Sequence, residues 1–413
     1  MIFASIQKKT KRILWVCVLL FVAFGLKLGY SQLVSYEMLM GKATDLWQRS
    51  FPVEGDRGEI TDSQGNVLAT NLTTASLVVV PSQIDDPILA SKQVASILDC
   101  DEKKLYDKFT RKASIVRIAP EGRQLDDETA SQIQNLAFNG LYLIKDSKRY
   151  YPQGTSLSHV LGFVGIDNQG LVGLELKYDE FLVAKQGSIN YYMDAKSHNL
   201  PLYPNEFIAP SQGFDIELSV NGDIQSIMER ELNNAYDTYH PDGIWALAMN
   251  PKTGAILGMA SKPDFDPNNY SQYDASTYNQ NIPIWKSYEP GSTFKIITFA
   301  SALNENLFDM DQDTYYDVGY EYVGGARIKS WKKGGHGLQT FRQVLQNSSN
   351  PGFVEIGRRL GKDKLYQYVK DFGLTEKTGI DLPGENKGIM FSYDKFGVLE
   401  QATVAFGQGI SVT

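Results

Sequence analysis

Histidine and cysteine are scarce in this 413-residue chain. The four histidines, at positions 159, 198, 240 and 336, show no metal-ligand spacing, and His159 reads as a hydrogen-bonded structural residue. Cys17 lies in an apolar run and Cys100 stands alone in the rest, so no intramolecular disulfide is expected. Positive charge is not in excess either. Lys and Arg number 40 against 48 Asp and Glu, for a net charge of −8, and the basic residues are scattered. That leaves no electrostatic footprint for nucleic acid. The first half shows no cofactor loop and no metal constellation. What is present is ordinary globular composition, 42% hydrophobic and 12% aromatic, long enough for two or three domains.

The N-terminus sets the compartment. Lys8, Lys9, Lys11 and Arg12 precede an apolar run from Ile13 to Leu26 that continues past Lys27 to Tyr30. Counting a snorkelling Lys27, this reaches the length that spans hydrocarbon. A cleaved signal peptide would need a better small-x-small site than Ala23-Phe24-Gly25. The expected order is a cytoplasmic tail at 1–12 and a membrane anchor at 13–30, with the bulk of the chain outside.

Residues 31–56 read as a helical and then extended connector. A hairpin follows through Asp56 to Ala69, turning at Gly65-Asn66, and Leu77 to Val80 reads as a short buried strand. Ile88 to Leu98 is expected to bury Leu89, Val94 and Ile97, and Asp101 to Phe109 is expected to be solvated. A composition shift at Pro210 to Gly213 divides a mixed strand and helix region, 31–212, from a second domain, 213–413. There, Asp223 to Tyr236 reads as a helix burying Ile224, Ile227, Met228 and Leu232. Ile244 to Met249 and Ala255 to Ala260 read as sheet strands covered on both faces, joined by a turn at Asn250 to Gly254.

The chemistry concentrates at Tyr288-Glu289-Pro290-Gly291-Ser292-Thr293-Phe294-Lys295, a turn opening into an apolar helix through Leu303. Residues at i and i+3 lie roughly 5–6 Å apart at Cβ, so the Lys295 amine can reach the Ser292 hydroxyl. Ser-x-x-Lys alone is weak, since Ser5/Lys8 and Ser330/Lys333 share the spacing; the first lies in the expected cytoplasmic tail and the second in a basic stretch with no apolar helix behind it. Ser-x-Asn also occurs at 188/190, 197/199, 219/221 and 348/350, and only the last follows Ser292 and sits in a helix-to-loop turn.

In that order and setting, Tyr288 to Lys295 followed by Ser348-Ser349-Asn350 closely resembles the class B penicillin-binding proteins, the transpeptidases that cross-link peptidoglycan. Further matches follow the same order: Arg57-Gly58 with Asp62 and Gly65, Tyr151-Pro152 with Gly154 and His159, Gly173-Leu174-Glu175, Asn250 to Gly254, Gly379 to Glu385, and Phe406 to Gly409. The resemblance covers essentially the whole chain. It implies an α+β fold: a membrane helix, a non-catalytic pedestal and a penicillin-binding transpeptidase domain of serine β-lactamase type.

By the same resemblance Ser292 is the nucleophile, Lys295 its general base, Ser348 a proton relay toward the leaving amine, and Asn350 a ligand of the substrate backbone. The Ser292 amide supplies one oxyanion donor. No metal or organic cofactor is implied, because the acyl group passes through serine. The implied partners are stem peptides and β-lactams, a lipid-linked glycan strand, the membrane, and a multi-span glycosyltransferase beside the anchor.

One family motif, a catalytic Lys-Thr/Ser-Gly, is not matched. Lys252-Thr253-Gly254 precedes the nucleophile as a hairpin turn, and Lys377-Thr378-Gly379 lies only 27 residues after Asn350 in a helix-to-strand connection. The motif is therefore expected beyond Thr413, leaving the transpeptidase domain incomplete. Three readings follow: a transpeptidase whose 413 residues alone are inactive or impaired, a non-catalytic membrane-anchored scaffold, or a β-lactam-sensing or hydrolysing serine protein. Asn350 and the long pedestal weigh against the third.

Overall fold

The computed structural model describes residues 2–53, 55–113, 115–192 and 206–413. Met1, the side chains of the expected tail, and residues 193–205 of the expected pedestal, with Ser197 and Asn199, lie outside it. A helix runs from Ile2 to Leu33, and its stretch Ile13–Leu33 has a mean hydropathy of 2.2, long and apolar enough to cross a membrane.

The chain divides into two compact units, and both are discontinuous in sequence. The smaller comprises 1–56, 73–147 and 184–213, and the larger comprises 57–72, 148–183 and 214–413. In the smaller unit the helices Pro87–Leu98, Glu102–Phe109 and Asp127–Asn135 each start on an aspartate, Asp86, Asp101 and Asp126, whose carboxylate accepts first-turn amides. Leu77, Val79, Val94, Leu105, Phe109 and Ile118 form its core.

Two expectations change here. Leu89 is 44% exposed while Ala90 and Ala95 turn inward, because helix position sets the face. The charged Glu102–Phe109 segment also buries Leu105 and Phe109. Deeper in the unit, Asp146 takes hydrogen bonds from Ser76 and Arg123, and the resulting charge pairing holds its carboxyl below the ordinary range despite burial. The strand at Leu77 is the end of a longer one, Val67–Val79.

The larger unit opens on the hairpin Ile60–Thr61 and Val67, whose turn is folded by Asp62: one carboxylate oxygen accepts the amides of Gln64 (2.9 Å) and Asn66 (2.8 Å). Gly58 is required by close approach, since a Cβ there would fall 1.8 Å from the Phe214 carbonyl. Arg57 and Arg149 both donate to the buried Glu175, at 2.6 and 2.7 Å, and Arg57 reaches Asp179 at 2.7 Å. Charges out of water need this pairing: removing one partner of such a set typically costs about 3–5 kcal/mol. His159 is structural. It contacts the Thr277 carbonyl at 2.9 Å and Ser261 Oγ at 3.2 Å, its ring stands edge-on to Phe265, and burial pushes its pKa down.

The helix Gly222–Tyr239 packs on the antiparallel pair Ile244–Met249 and Ile256–Lys262. It buries Leu232 and, unexpectedly, Gln225, whose side-chain amide hydrogen-bonds both the N–H and the C=O of Met259. Ile227 is 52% exposed, against the expectation. Among the described residues this pair forms a two-stranded ladder with Leu247 and Met249 exposed, so the expected cover on both faces is not seen. The Asn250 to Gly254 turn forms as expected, with Gly254 at φ +77°. A second core gathers Phe299, Phe308, Phe341, Phe353 and Ile356 beneath the helices Lys295–Asn304, Phe341–Gln346 and Asn350–Leu360.

Candidate active site

The turn that presents Ser292 is held from behind. Gly291 takes a left-handed φ of +58°, and its amide donates to the Gly407 carbonyl at 2.9 Å. Tyr288 and Val412 exchange two backbone hydrogen bonds of 2.9 Å, and the Glu289 carboxylate accepts the Gly409 amide at 2.9 Å. The segment Phe406 to Thr413 therefore braces the approach to Ser292. Gly291–Phe294 is a single 3-10 turn, and the α-helix proper runs Lys295–Asn304.

Ser292 thus sits one step earlier than a helix N-terminus, exposed on the 3-10 turn, while Lys295 is only 2% exposed. The apolar reading of this helix needs one correction. Ile296 points outward, and the buried face carries Lys295, Thr298 and Ser301 beside Phe299 and Ala302. With the Ser292 amide in the first turn, its N–H has no intrahelical acceptor.

The second motif is shaped by two caps. The helix Phe341–Gln346 begins with a capping box between Thr340 and Gln343 and ends at Asn347. Ser348 then takes φ +51°, an uncommon left-handed conformation for a residue with a side chain. Ser349 caps the next helix, accepting from the Gly352 amide, with Asn350 and Pro351 in its first turn. Ser349 is buried and its hydroxyl donates to Asp317, which is buried in turn.

This geometry brings all four expected residues together. The Lys295 amine lies 3.0 Å from Ser348 Oγ, 2.9 Å from the Ser348 carbonyl and 2.7 Å from Asn350 Oδ1, and it stands over the Phe353 ring at 5.2 Å. The Ser348 hydroxyl donates to Ser292 Oγ at 3.1 Å. Ser348 therefore bridges the lysine and the serine; the reach expected directly between Lys295 and Ser292 runs through it. Burial pushes the Lys295 pKa down to about 8, a value that leaves a useful neutral fraction near neutral pH.

Three acceptor sites around one nitrogen also suit a neutral amine. Two N–H bonds can go to the carbonyl and to Asn350, leaving the lone pair for the Ser348 hydroxyl. In the charged form all three contacts are donated and the Ser348 proton turns to Ser292. The hydroxyl chain can thus carry a proton from Ser292 to Lys295.

The two Lys-Thr-Gly tripeptides are engaged elsewhere. Lys252-Thr253-Gly254 forms the hairpin turn, and Thr378 and Gly379 bind the Glu385 carboxylate, at 2.6 Å from the Thr378 amide. Ser349, Asp317, Gly407 and Glu289 escaped the sequence reading as site-shaping residues. Ser349 before Asn-Pro did carry an N-cap signal; Asp317, 32 residues away, carried none.

Comparison with known proteins finds likeness over two regions of the chain. A family model described as the penicillin binding protein transpeptidase domain matches residues 244–413, and one described as the penicillin-binding protein dimerisation domain matches 52–218. The chain is 52% identical over 409 residues to stage V sporulation protein D of Bacillus subtilis, covering 99% of itself and 63% of that protein. It is 28% identical to the peptidoglycan D,D-transpeptidase FtsI of Escherichia coli over 408 residues, covering 96% of itself and 67% of that protein. In fold it is similar to the penicillin-binding protein 2 of Helicobacter pylori solved in complex with MreC, with a TM-score of 0.71 at 22% identity, covering 89% of this chain and 75% of that one. The chain therefore spans a little under two thirds of the length of its Bacillus relative. With a dimerisation region, a transpeptidase region and a Ser-x-x-Lys turn meeting a Ser-x-Asn turn, the chain belongs to the class B penicillin-binding proteins.

Proposed function

We propose that this chain is an anchored, penicillin-sensitive serine D,D-transpeptidase that cross-links peptidoglycan stem peptides. The observation that carries the reading is the buried Lys295 amine, lowered to about 8 and linked through Ser348 to an exposed Ser292. Ser292 Oγ attacks the penultimate D-Ala carbonyl, forming the ester bond as the peptide bond to terminal D-Ala breaks. The Ser292 proton passes by Ser348 to Lys295 and returns along that path to the departing amine. An amine of a neighbouring strand then takes the acyl group and releases Ser292.

Asn350 Nδ2 is weakly engaged, 3.4 Å from the Lys329 carbonyl, and is the group we assign to the substrate backbone. The Ser292 amide donates to the oxyanion, where loss of one such donor commonly costs about 2.7–4 kcal/mol. Ile13–Leu33 anchors the protein, with its basic flank cytoplasmic and the remainder outside. A membrane-embedded glycosyltransferase beside this helix supplies glycan strands. The domain division at 212/213 belongs to the same reading: an anchor-proximal pedestal and a transpeptidase domain.

Fluorescent penicillin tests it. Stable covalent labelling that vanishes in Ser292→Ala is the expected result. Rapid loss of the label would move the assignment to a β-lactam hydrolase. No labelling would leave a non-catalytic scaffold.

A further inference from the structure

Between Val318 and His336 the chain reverses its overall charge, with four cations, Arg327, Lys329, Lys332 and Lys333, against the single acid Glu321. The local structure sorts these residues by face. Tyr320–Val323 and Ala326–Lys329 form a hairpin whose register pairs Tyr320 with Lys329 and Tyr322 with Arg327. Alternation along a strand puts these four on one face and Glu321, Val323, Ala326 and Ile328 on the other. Val323 and Ile328 pack against the aromatic core, and Glu321 accepts a hydrogen bond from Tyr315 OH at 3.0 Å. The outer face is left with two tyrosines and two cations and no carboxylate.

That face is organised and reaches the catalytic turn. The Arg327 guanidinium carbon lies 4.0 Å from the Tyr320 ring centroid, a cation–π contact that holds this exposed cation against the strip. The Lys329 carbonyl lies 3.4 Å from Asn350 Nδ2, and Trp331 Nε1 donates to the Asn347 carbonyl at 2.8 Å. Strand and catalytic turn therefore run side by side, with the exposed Trp331, Lys332 and Lys333 continuing the strip.

The geometry points to this outer hairpin face, Tyr320, Tyr322, Arg327 and Lys329, as a docking strip for an acidic peptide that is led to Ser292. Its occupant is argued from charge complementarity. A guanidinium beside an ammonium binds carboxylates, and the aromatic rings accept the intervening apolar peptide surface. The assignment of that peptide to a stem peptide, whose γ-linked glutamate leaves a carboxylate free, rests on the transpeptidase reading. The strip itself does not depend on catalysis.

The experiment measures fluorescence anisotropy of a labelled stem pentapeptide with free carboxylates, and of its amidated counterpart, on the protein. Arg327→Glu and Lys329→Glu are expected to weaken the acidic peptide roughly tenfold and to flatten its salt dependence, with Arg327→Gln between. The amidated peptide is expected to bind weakly to all forms. Equal binding of the acidic peptide to wild type and both reversed variants overturns the strip. So does preferential binding of the wild-type face to anionic phosphatidylglycerol vesicles over the peptide. Fluorescent penicillin labelling is run in parallel. Urea unfolding midpoints that match wild type show the reversed variants are folded, whereas peptide binding without any penicillin labelling of wild type would sink the transpeptidase reading and leave the strip standing.

Discussion

The Ser349 hydroxyl donates to Asp317 Oδ2 across 2.8 Å while accepting the Gly352 amide at 3.2 Å, and Asp317 Oδ1 takes the Gly319 amide at 2.7 Å. One buried carboxylate thereby ties a strand end to the turn that carries Ser348 and Asn350. Ser349→Ala removes an N-cap, worth about 1 kcal/mol, and strands a buried carboxylate oxygen, at about 1–3 kcal/mol. Urea unfolding should show a lower midpoint for Ser349→Ala than for the milder Asp317→Asn. Penicillin acylation should slow in the same order, since Ser348 loses its support. Unchanged midpoints and rates in both variants would mean the turn holds itself.

Acylation should follow the neutral fraction of Lys295. With a pKa near 8, the rate is expected to rise about tenfold per unit from pH 6 to 7 and to level off above about 8.5. Lys295→Arg, which cannot become neutral, should lose about 10²–10⁴ of the rate. Ser348→Ala should cut the rate while keeping the pH midpoint, because it breaks the relay and leaves the amine. Stopped-flow labelling across pH decides this; a flat profile in wild type would exclude Lys295 as the base.

The same burial has a stability consequence with a definite sign. Folding lowers the Lys295 pKa from 10.5 to about 8, so between these values the unfolded chain binds the extra proton and stability rises with pH. Below pH 8 the buried charge opposes folding in full. The stability of Lys295→Met relative to wild type should therefore decline as pH rises from 8 to 10, by an amount on the order of 1–3 kcal/mol. Parallel chemical denaturation at pH 7.5 and 10 measures it. A constant difference would place the lysine in water.

Gly407 is not replaceable without moving the turn that carries Ser292. Its φ is +81°, and a Cβ there would meet the Gly291 carbonyl oxygen at 2.1 Å. Gly407→Ala is expected to cost more than the roughly 1 kcal/mol of left-handed strain alone and to depress penicillin acylation. Gly325→Ala, whose φ is +84° but whose Cβ meets nothing within 4 Å, is the control: it carries the strain without the clash. Equal acylation in the two variants would remove Gly407 from the site's architecture.

Much of the site was legible because its parts are local. Ser292 and Lys295 share a face through helix spacing, and Pro290 and Gly291 announce the turn, signals that concern only the next few residues. Periodicity was less dependable. Leu89, Ile227 and Ile296 satisfy an apolar pattern but face outward, while Gln225, Lys295 and Ser301 turn inward to meet neighbours that a period cannot name.

The order of motifs, the apolar N-terminal helix and the residue types at the Ser292 turn follow from the sequence by itself. They depend on covalent spacing and on the chemistry of each side chain. Tertiary structure decided the rest. It placed Ser348 between Lys295 and Ser292, with partners 53 and 56 residues apart, and set Gly409 against Glu289 across 120 residues. It also buried the Lys295 amine deeply enough to lower its pKa to about 8. Desolvation and hydrogen-bond direction belong to the surroundings a residue acquires on folding, and so no local pattern carries them.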